Sequence, residues 1–227
     1  MTSLVFLPGT LCDERLFKYQ IEKFPNAHVV NLRTQNTLDE MIETVTLVPY
    51  EKFVIVGFSM GGSVAQEFTL KYPARVQHLV VIGSSALGYP AHEREIVLKA
   101  KPMIDKGLFK GITERRLKEF LHPKNYERKE LRDLIQDMAG ADAAAVYSRQ
   151  LNATLDRPDT SDRLHQLHCP LTAIGGLDDR IVPADSIRRY KDFYPASDVI
   201  ILEECGHFVP LEKPDELNRI LNQTVQP

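Results

Sequence analysis

The feature that most constrains the fold is a run of four apolar residues that leads into a glycine-rich turn. Phe53–Val56 is apolar at every position, and the segment 57–62 has the sequence GFSMGG. Parallel strands that are buried on both faces are continuous apolar runs of this kind. A helical pattern over Met60–Tyr72 begins within the turn and ends before Pro73, since the residue before a proline is disfavoured in helical geometry. The sequence therefore predicts a buried strand, a sharp turn at Ser59 and a helix.

Short apolar segments alternate with longer amphipathic ones along much of the chain, which predicts strands joined by crossover helices. Further strands are predicted at Leu4–Leu7, His28–Leu32, Leu79–Gly83, Leu171–Gly175 and Val199–Leu202. Further helices are predicted at Leu38–Leu47, Ala184–Phe193 and Pro210–Gln223. The expected fold class is α/β, with a mostly parallel sheet and flanking helices.

Between residues 84 and 167 the alternation stops and only helical patterns remain. They cover Ala91–Asp105, Thr113–Leu121, Glu127–Ala139 and Asp142–Thr154, with glycines and a proline between them. An all-helical insertion between two strands of a parallel sheet predicts a lid over the carboxyl ends of the strands, where ligands bind. We therefore expect a core of residues 1–83 and 168–227 with a helical lid of residues 84–167.

The composition excludes several classes of function. The chain has 227 residues, 43% of them hydrophobic and 26% charged, and a net charge of −3. So slight an imbalance predicts no binding to nucleic acid or to an anionic membrane, and no apolar run approaches the roughly 18 residues of a membrane span. The first nine residues lack a signal-peptide pattern and are predicted to be a strand and a loop. Three scattered cysteines predict neither a disulfide framework nor a metal site, so we expect a cytoplasmic protein without a cofactor.

The segment 57–62 matches the pattern G-x-S-x-G in the strand–turn–helix setting that the pattern requires. Glycines two residues before and after Ser59 let the strand and the helix approach each other around a strained turn. The turn exposes the Ser59 hydroxyl at a helix N-terminus, where the backbone N–H of Met60 can stabilise an oxyanion. The alternative is structural: the glycines serve a tight turn, and Ser59 only caps the helix.

With this turn in its predicted setting, the sequence resembles the α/β-hydrolase superfamily over nearly its whole length. In that family an acid lies in a G-x-x-D-x-x-x-P segment after a later strand, and a histidine follows the next strand. Here Gly176–Pro183 matches that segment with Asp179 as the acid, whereas Asp178 is offset by one residue. His207, preceded by a glycine, follows the last predicted strand. The resemblance implies a catalytic triad of Ser59, Asp179 and His207, in the chain order of this fold.

These three residue types suit acyl transfer, because an imidazole can take the serine proton and a carboxylate fixes the tautomer of that imidazole. The resemblance also implies a second oxyanion donor, at the residue after a His-Gly pair in the loop that follows the first strand. The loop here has Pro8-Gly9, so the N–H of Thr10 is the predicted partner of Met60, with Leu11 as the fallback. Because Pro-Gly is also a common turn pair, a purely structural role explains this loop as well.

The chain is also similar to small lid-bearing carboxylesterases that act on pimeloyl-carrier methyl esters. This similarity implies a carboxylic ester hydrolase (EC 3.1 class) that cleaves a small-molecule ester or acyl-thioester through an acyl-enzyme on Ser59. The same triad also suits hydrolysis of a C–C bond or an enol-lactone. A third possibility is a non-catalytic relative that binds a ligand.

Basic residues dominate part of the predicted lid. From Arg94 to Arg132 the sequence has twelve lysines and arginines against six acids, although the whole chain is net acidic. One interpretation is that this stretch binds an anionic substrate or an acidic acyl-carrier protein that presents an acyl chain. The other is the solvated outer face of surface helices, where charged residues are common.

Overall fold

The computed structural model describes residues 3–89 and 91–225, and these contain a six-stranded sheet in which every pair of neighbouring strands is parallel. The strands are β1 (Ser3–Leu7), β2 (His28–Val29), β3 (Phe53–Phe58), β4 (Val76–Ile82), β5 (Leu171–Gly176) and β6 (Asp198–Leu202). Their spatial order is β2-β1-β3-β4-β5-β6. The predicted α/β class with a mostly parallel sheet and flanking helices is confirmed.

Outside the β4–β5 connection the described residues form seven α-helices, of which the first was not predicted, and the fourth and fifth divide the predicted helix Ala184–Phe193. They are α1 (Lys18–Lys23), α2 (Leu38–Thr46), α3 (Met60–Lys71), α9 (Ala184–Arg188), α10 (Tyr190–Phe193), α11 (Val209–Glu212) and α12 (Pro214–Val225), with 3-10 helices at Glu14–Phe17 and Pro73–Arg75. The predicted helix Pro210–Gln223 is divided into two, because Pro214 has no N–H to continue the first helix and instead begins the second.

The connection between β4 and β5 contains no strand among its described residues. It consists of α4 (Ala91–Asp105), α5 (Glu114–Phe120), α6 (Pro123–Tyr126), α7 (Lys129–Ala139) and α8 (Ala143–Thr154), followed by a 3-10 helix at Ser161–Gln166. We call this segment the helical insertion.

The sheet separates two hydrophobic cores. Alternate side chains of each strand point to opposite faces, so Phe53 and Ile55 lie in one core while Val54 and Val56 lie in the other. All six residues of β3 are buried, as the continuous apolar run predicted. Within the described residues, no helix is both long enough and apolar enough to cross a bilayer.

Candidate active site

Ser59 lies in a strained turn between β3 and α3. Its backbone has φ 52° and ψ −115°, an unfavourable conformation for a residue with a side chain, and its N–H donates to the carbonyl of Ile82 at 2.8 Å. A Cβ atom on Gly57 would overlap the carbonyl of Gly61, and one on Gly61 would overlap the carbonyl of Leu7. No side chain fits at either glycine without a steric clash. The turn holds Ser59 at the carboxyl end of the central strand.

Ser59, His207 and Asp179 form one hydrogen-bonded series, although they lie far apart in the sequence. The Oγ of Ser59 is 3.1 Å from Nε2 of His207, and Nδ1 of the same ring is 2.8 Å from Oδ2 of Asp179. Because an ionised carboxylate only accepts hydrogen bonds, Nδ1 carries the ring hydrogen and Nε2 is free to accept from the serine hydroxyl. His207 is 3% exposed and Asp179 is 5% exposed, so solvent screens their interaction weakly.

The second carboxylate oxygen of Asp179 fixes the orientation of that side chain. Oδ1 accepts the backbone N–H groups of Ile181 at 2.8 Å and Val182 at 2.9 Å. The neighbouring Asp178 is exposed, and its Oδ2 lies 3.9 Å from Nε2 of His122. The structure thus brings Asp179, rather than Asp178, to His207.

Aromatic rings surround the imidazole of His207. The ring centroids of Phe58 and Phe120 lie 4.9 Å and 6.0 Å from that of His207. The backbone N–H of His207 also donates to the carbonyl of Phe120 at 2.6 Å. Since Phe120 ends α5, the helical insertion contributes directly to the surroundings of the imidazole.

The loop after β1 lies beside the serine. A Cβ atom placed on Gly9 would be 3.2 Å from Cβ of Ser59. Leu11 has a φ of 58°, and its N–H donates to Oε1 of Gln150 at 2.9 Å, so this amide is already occupied. Within the described residues, the amides of Thr10 and Met60 donate to no protein acceptor. Of the two predicted loop donors, only Thr10 is therefore available to a ligand.

Cys12 is the thiol nearest in sequence to this loop, and burial raises its pKa to about 12. A thiol nucleophile must ionise, so burial makes this side chain unreactive at neutral pH. All three cysteines are buried free thiols.

Two buried polar residues that support this site were not predicted from the sequence. Gln150, on α8, accepts the N–H of Leu11 and donates through Nε2 to the carbonyl of Leu32 at 2.9 Å. Glu212, on α11, accepts the N–H groups on both sides of His207, from Gly206 at 3.1 Å and Phe208 at 3.0 Å. Glu212 could have been noticed, because it is an acidic residue that directly follows an apolar segment. Gln150 could not, because a glutamine within a helical pattern is unremarkable.

Most basic side chains between Arg94 and Arg132 are paired with carboxylates. Several partners lie outside that stretch and were not part of the local count: Glu93, Asp133, Asp156 and Glu204. Among the described residues, the basic side chains of the stretch without a carboxylate at salt-bridge distance are Lys106, Lys110, Lys118 and Arg132.

Comparisons with known proteins relate this chain to several hydrolases. A 2-hydroxy-6-oxononadienedioate/2-hydroxy-6-oxononatrienedioate hydrolase of Paraburkholderia phymatum is 30% identical over 178 residues, which are 75% of this chain and 61% of the relative. The chain therefore spans less than two thirds of that relative's length. A pimeloyl-[acyl-carrier protein] methyl ester esterase of Aeromonas hydrophila is 26% identical over 225 residues, covering 96% of this chain and 88% of the relative.

The fold itself is close to that of a solved enzyme. The structure of a thermophilic esterase from Thermogutta terrifontis superposes with a TM-score of 0.87 at 21% identity, over 98% of this chain and 89% of that one. The model of the alpha/beta hydrolase family matches residues 4–220, nearly the full chain. The chain therefore belongs to the alpha/beta hydrolase family.

Proposed function

We propose that the protein is a serine hydrolase that cleaves a carboxylic ester or thioester through an acyl-enzyme on Ser59. The observation that carries the proposal is the hydrogen-bonded series from Ser59 through His207 to Asp179. A serine on a strained turn with a buried imidazole at hydrogen-bonding distance is the arrangement that nucleophilic catalysis needs. The carboxylate holds the imidazole in the tautomer that can accept the serine proton.

In the proposed reaction, Oγ of Ser59 attacks the acyl carbon while its proton passes to Nε2 of His207. The resulting oxyanion accepts hydrogen bonds from the N–H groups of Met60 and Thr10, each of which stabilises the transition state by about 3 kcal/mol. His207 then gives the proton to the departing alcohol or thiol, and the acyl group stays on Ser59. In the second half of the reaction, a water molecule attacks the acyl carbon and gives a proton to His207. His207 returns this proton to the oxygen of Ser59, and the carboxylic acid is released.

The helical insertion, which we place at residues 84–167, serves as the lid in this proposal. Two contacts support that role: Phe120 packs on the imidazole, and Gln150 binds the loop that carries Thr10. A lid at this position would exclude water from the acyl-enzyme and shape the acyl pocket. Buried free cysteines are compatible with a reducing cytoplasm, which remains part of the proposal.

The relative from Paraburkholderia favours a second candidate reaction. Its substrate name specifies a hydroxyl, an oxo group and two carboxylates, so a hydrolase acting on it must break a carbon–carbon bond. The same proton transfers at Ser59 and His207 could serve that reaction, and an enol-lactone would also suit them. A ligand-binding protein without catalysis is the remaining alternative.

A chemical label separates these possibilities. A fluorophosphonate should modify Ser59 in the wild type, and the Ser59→Ala variant should not be labelled. The same variant should lower kcat for short p-nitrophenyl esters by a factor on the order of 10⁴ or more, since the nucleophile is lost. Labelling without turnover of any ester or thioester favours the carbon–carbon or lactone reaction. A wild-type protein that takes no label contradicts the hydrolase proposal.

A further inference from the structure

The loop that carries His207 is held by a buried carboxylate that does not touch the imidazole. Glu212 lies five residues after His207 and is 5% exposed. Its Oε1 accepts the N–H of Phe208 at 3.0 Å, and its Oε2 accepts the N–H of Gly206 at 3.1 Å. One side chain therefore satisfies the backbone N–H groups of both residues that flank His207 in the sequence.

The same carboxylate joins this loop to the helical insertion. Oε2 of Glu212 also accepts the N–H of His122 and the side-chain amide of Asn125, each at 2.9 Å. The approach is close, since a Cβ atom on Gly206 would overlap the carbonyl of Phe120. Four donors from two segments thus converge on one anion.

Burying a carboxylate in this way costs free energy, because the charge is removed from water. Burial raises the pKa of Glu212 above its ordinary value of 4.5, and the hydrogen bonds from the backbone and from Asn125 offset that effect only in part. Replacing a buried charge by apolar residues is often neutral or stabilising. The stability of the fold alone therefore gives no strong reason for a carboxylate here, whereas orientation of the adjacent histidine does.

We infer that Glu212 is a positioning residue, which holds the imidazole of His207 at the distance from Ser59 that proton transfer requires. The inference rests on the proposed function of Ser59 and His207. Glutamine at position 212 keeps the size of the side chain but carries an NH₂ group. That group must face either the N–H of Phe208 or the donors around Oε2, so at least one donor loses its acceptor.

The test measures the fluorophosphonate labelling rate of Ser59 and kcat for an activated ester, both per titrated active site. A displacement of about 1 Å at a reacting group costs on the order of 10²-fold in rate, and we expect Glu212→Gln to lose about that factor. KM should stay within about twofold, since the acyl pocket is not changed. Glu212→Asp keeps the charge but is one methylene shorter, so its labelling rate and kcat should lie between those of Glu212→Gln and the wild type. A crystal structure of Glu212→Gln should show a longer separation between Nε2 and Oγ.

The matched control is Glu67→Gln, which also removes a mostly buried carboxylate, one paired with Arg163. It should lower the melting temperature without changing the labelling rate per titrated site. If Glu212→Gln and Glu212→Asp likewise change only the melting temperature, the role is purely structural and the inference is wrong, while the hydrolase proposal stands. If the wild type itself is not labelled, both the proposed function and this inference are wrong.

Discussion

Asp179 uses its two carboxylate oxygens for different purposes. Oδ2 faces the imidazole of His207, and Oδ1 accepts two backbone N–H groups, which leaves the side chain no freedom to rotate. A group of this kind should act on the reaction through the tautomer of His207 rather than through substrate binding. The predicted acid could be found from the G-x-x-D-x-x-x-P spacing, but the choice between adjacent aspartates depended on a single-residue offset.

The substitution Asp179→Asn tests this role. An asparagine amide facing Nδ1 would favour the tautomer with its hydrogen on Nε2, which cannot accept the serine proton, so kcat should fall by about 10³- to 10⁴-fold. The matched control is Asp178→Asn, since Asp178 is adjacent and exposed. It should change kcat less than about threefold. Steady-state kinetics on one ester decides the matter, and equal losses in the two variants would contradict the assignment of Asp179.

At the scale of elements, the turn at Ser59 could be predicted because its causes are local. An apolar run, two glycines and a helical pattern adjoin one another in the sequence, and the steric need for Gly57 and Gly61 follows from them. The short β2 and the division of the C-terminal helix at Pro214 departed from the predicted bounds by a few residues.

Contacts between distant elements could not be predicted in the same way. Gln150 and Leu11 are 139 residues apart, and nothing in either segment points to the other. Their contact arises only when the helical insertion folds onto the edge of the sheet. The contacts that α5, α8 and α11 make with the site therefore depend on tertiary packing, and no local sequence motif predicts them.

Replacing Gln150 by leucine tests whether the helical insertion supports the loop after β1, which carries Thr10. The substitution leaves the N–H of Leu11 and the carbonyl of Leu32 buried without partners, and each costs about 1–3 kcal/mol of unfolding free energy. Because Leu11 holds a left-handed conformation next to Thr10, the loop should relax and kcat should fall by more than about tenfold.

The control for this prediction is Asn152→Ala, on the same helix but exposed. It should change the unfolding free energy by no more than about 0.5 kcal/mol and leave kcat unchanged. Urea unfolding and ester kinetics measure the two effects separately. A Gln150→Leu protein that loses stability but keeps its kcat would show that the loop holds its conformation without the insertion.

For the whole molecule, the distribution of charge bears on the choice of substrate. Counting residues along the sequence gave a strongly basic stretch, but folding brings acids from outside that stretch to four of its twelve basic side chains. Arg116, for example, is bound by both Glu93 and Glu119 and stacks over Phe120, so reversing its charge would disturb the site itself. A count along the chain does not show which acids reach which basic side chains.

Two of the basic side chains without a carboxylate partner lie close together in the sequence of the helical insertion. Lys106 and Lys110 are exposed, have no carboxylate at salt-bridge distance among the described residues, and are close in sequence to the exposed apolar residues Met103 and Leu108. The name of the Aeromonas relative specifies a substrate linked to an acyl-carrier protein, and exposed lysines would attract such a carrier if it is acidic.

If the substrate is carrier-linked, the double variant Lys106→Glu/Lys110→Glu should raise KM for a carrier-linked ester about tenfold or more and leave KM for a small free ester unchanged. The effect should shrink as salt is added, since charges at a surface are screened beyond about 8 Å at physiological ionic strength. The control variant Lys23→Glu/Lys52→Glu has the same net charge, with both changes outside the insertion. It should affect neither ester, because a carrier that docks locally responds to the charge at its docking surface and not to the charge of the whole protein. Equal rises in KM for the carrier-linked ester in both double variants would mean that net charge alone governs the encounter, and the docking surface at Lys106 and Lys110 would be wrong.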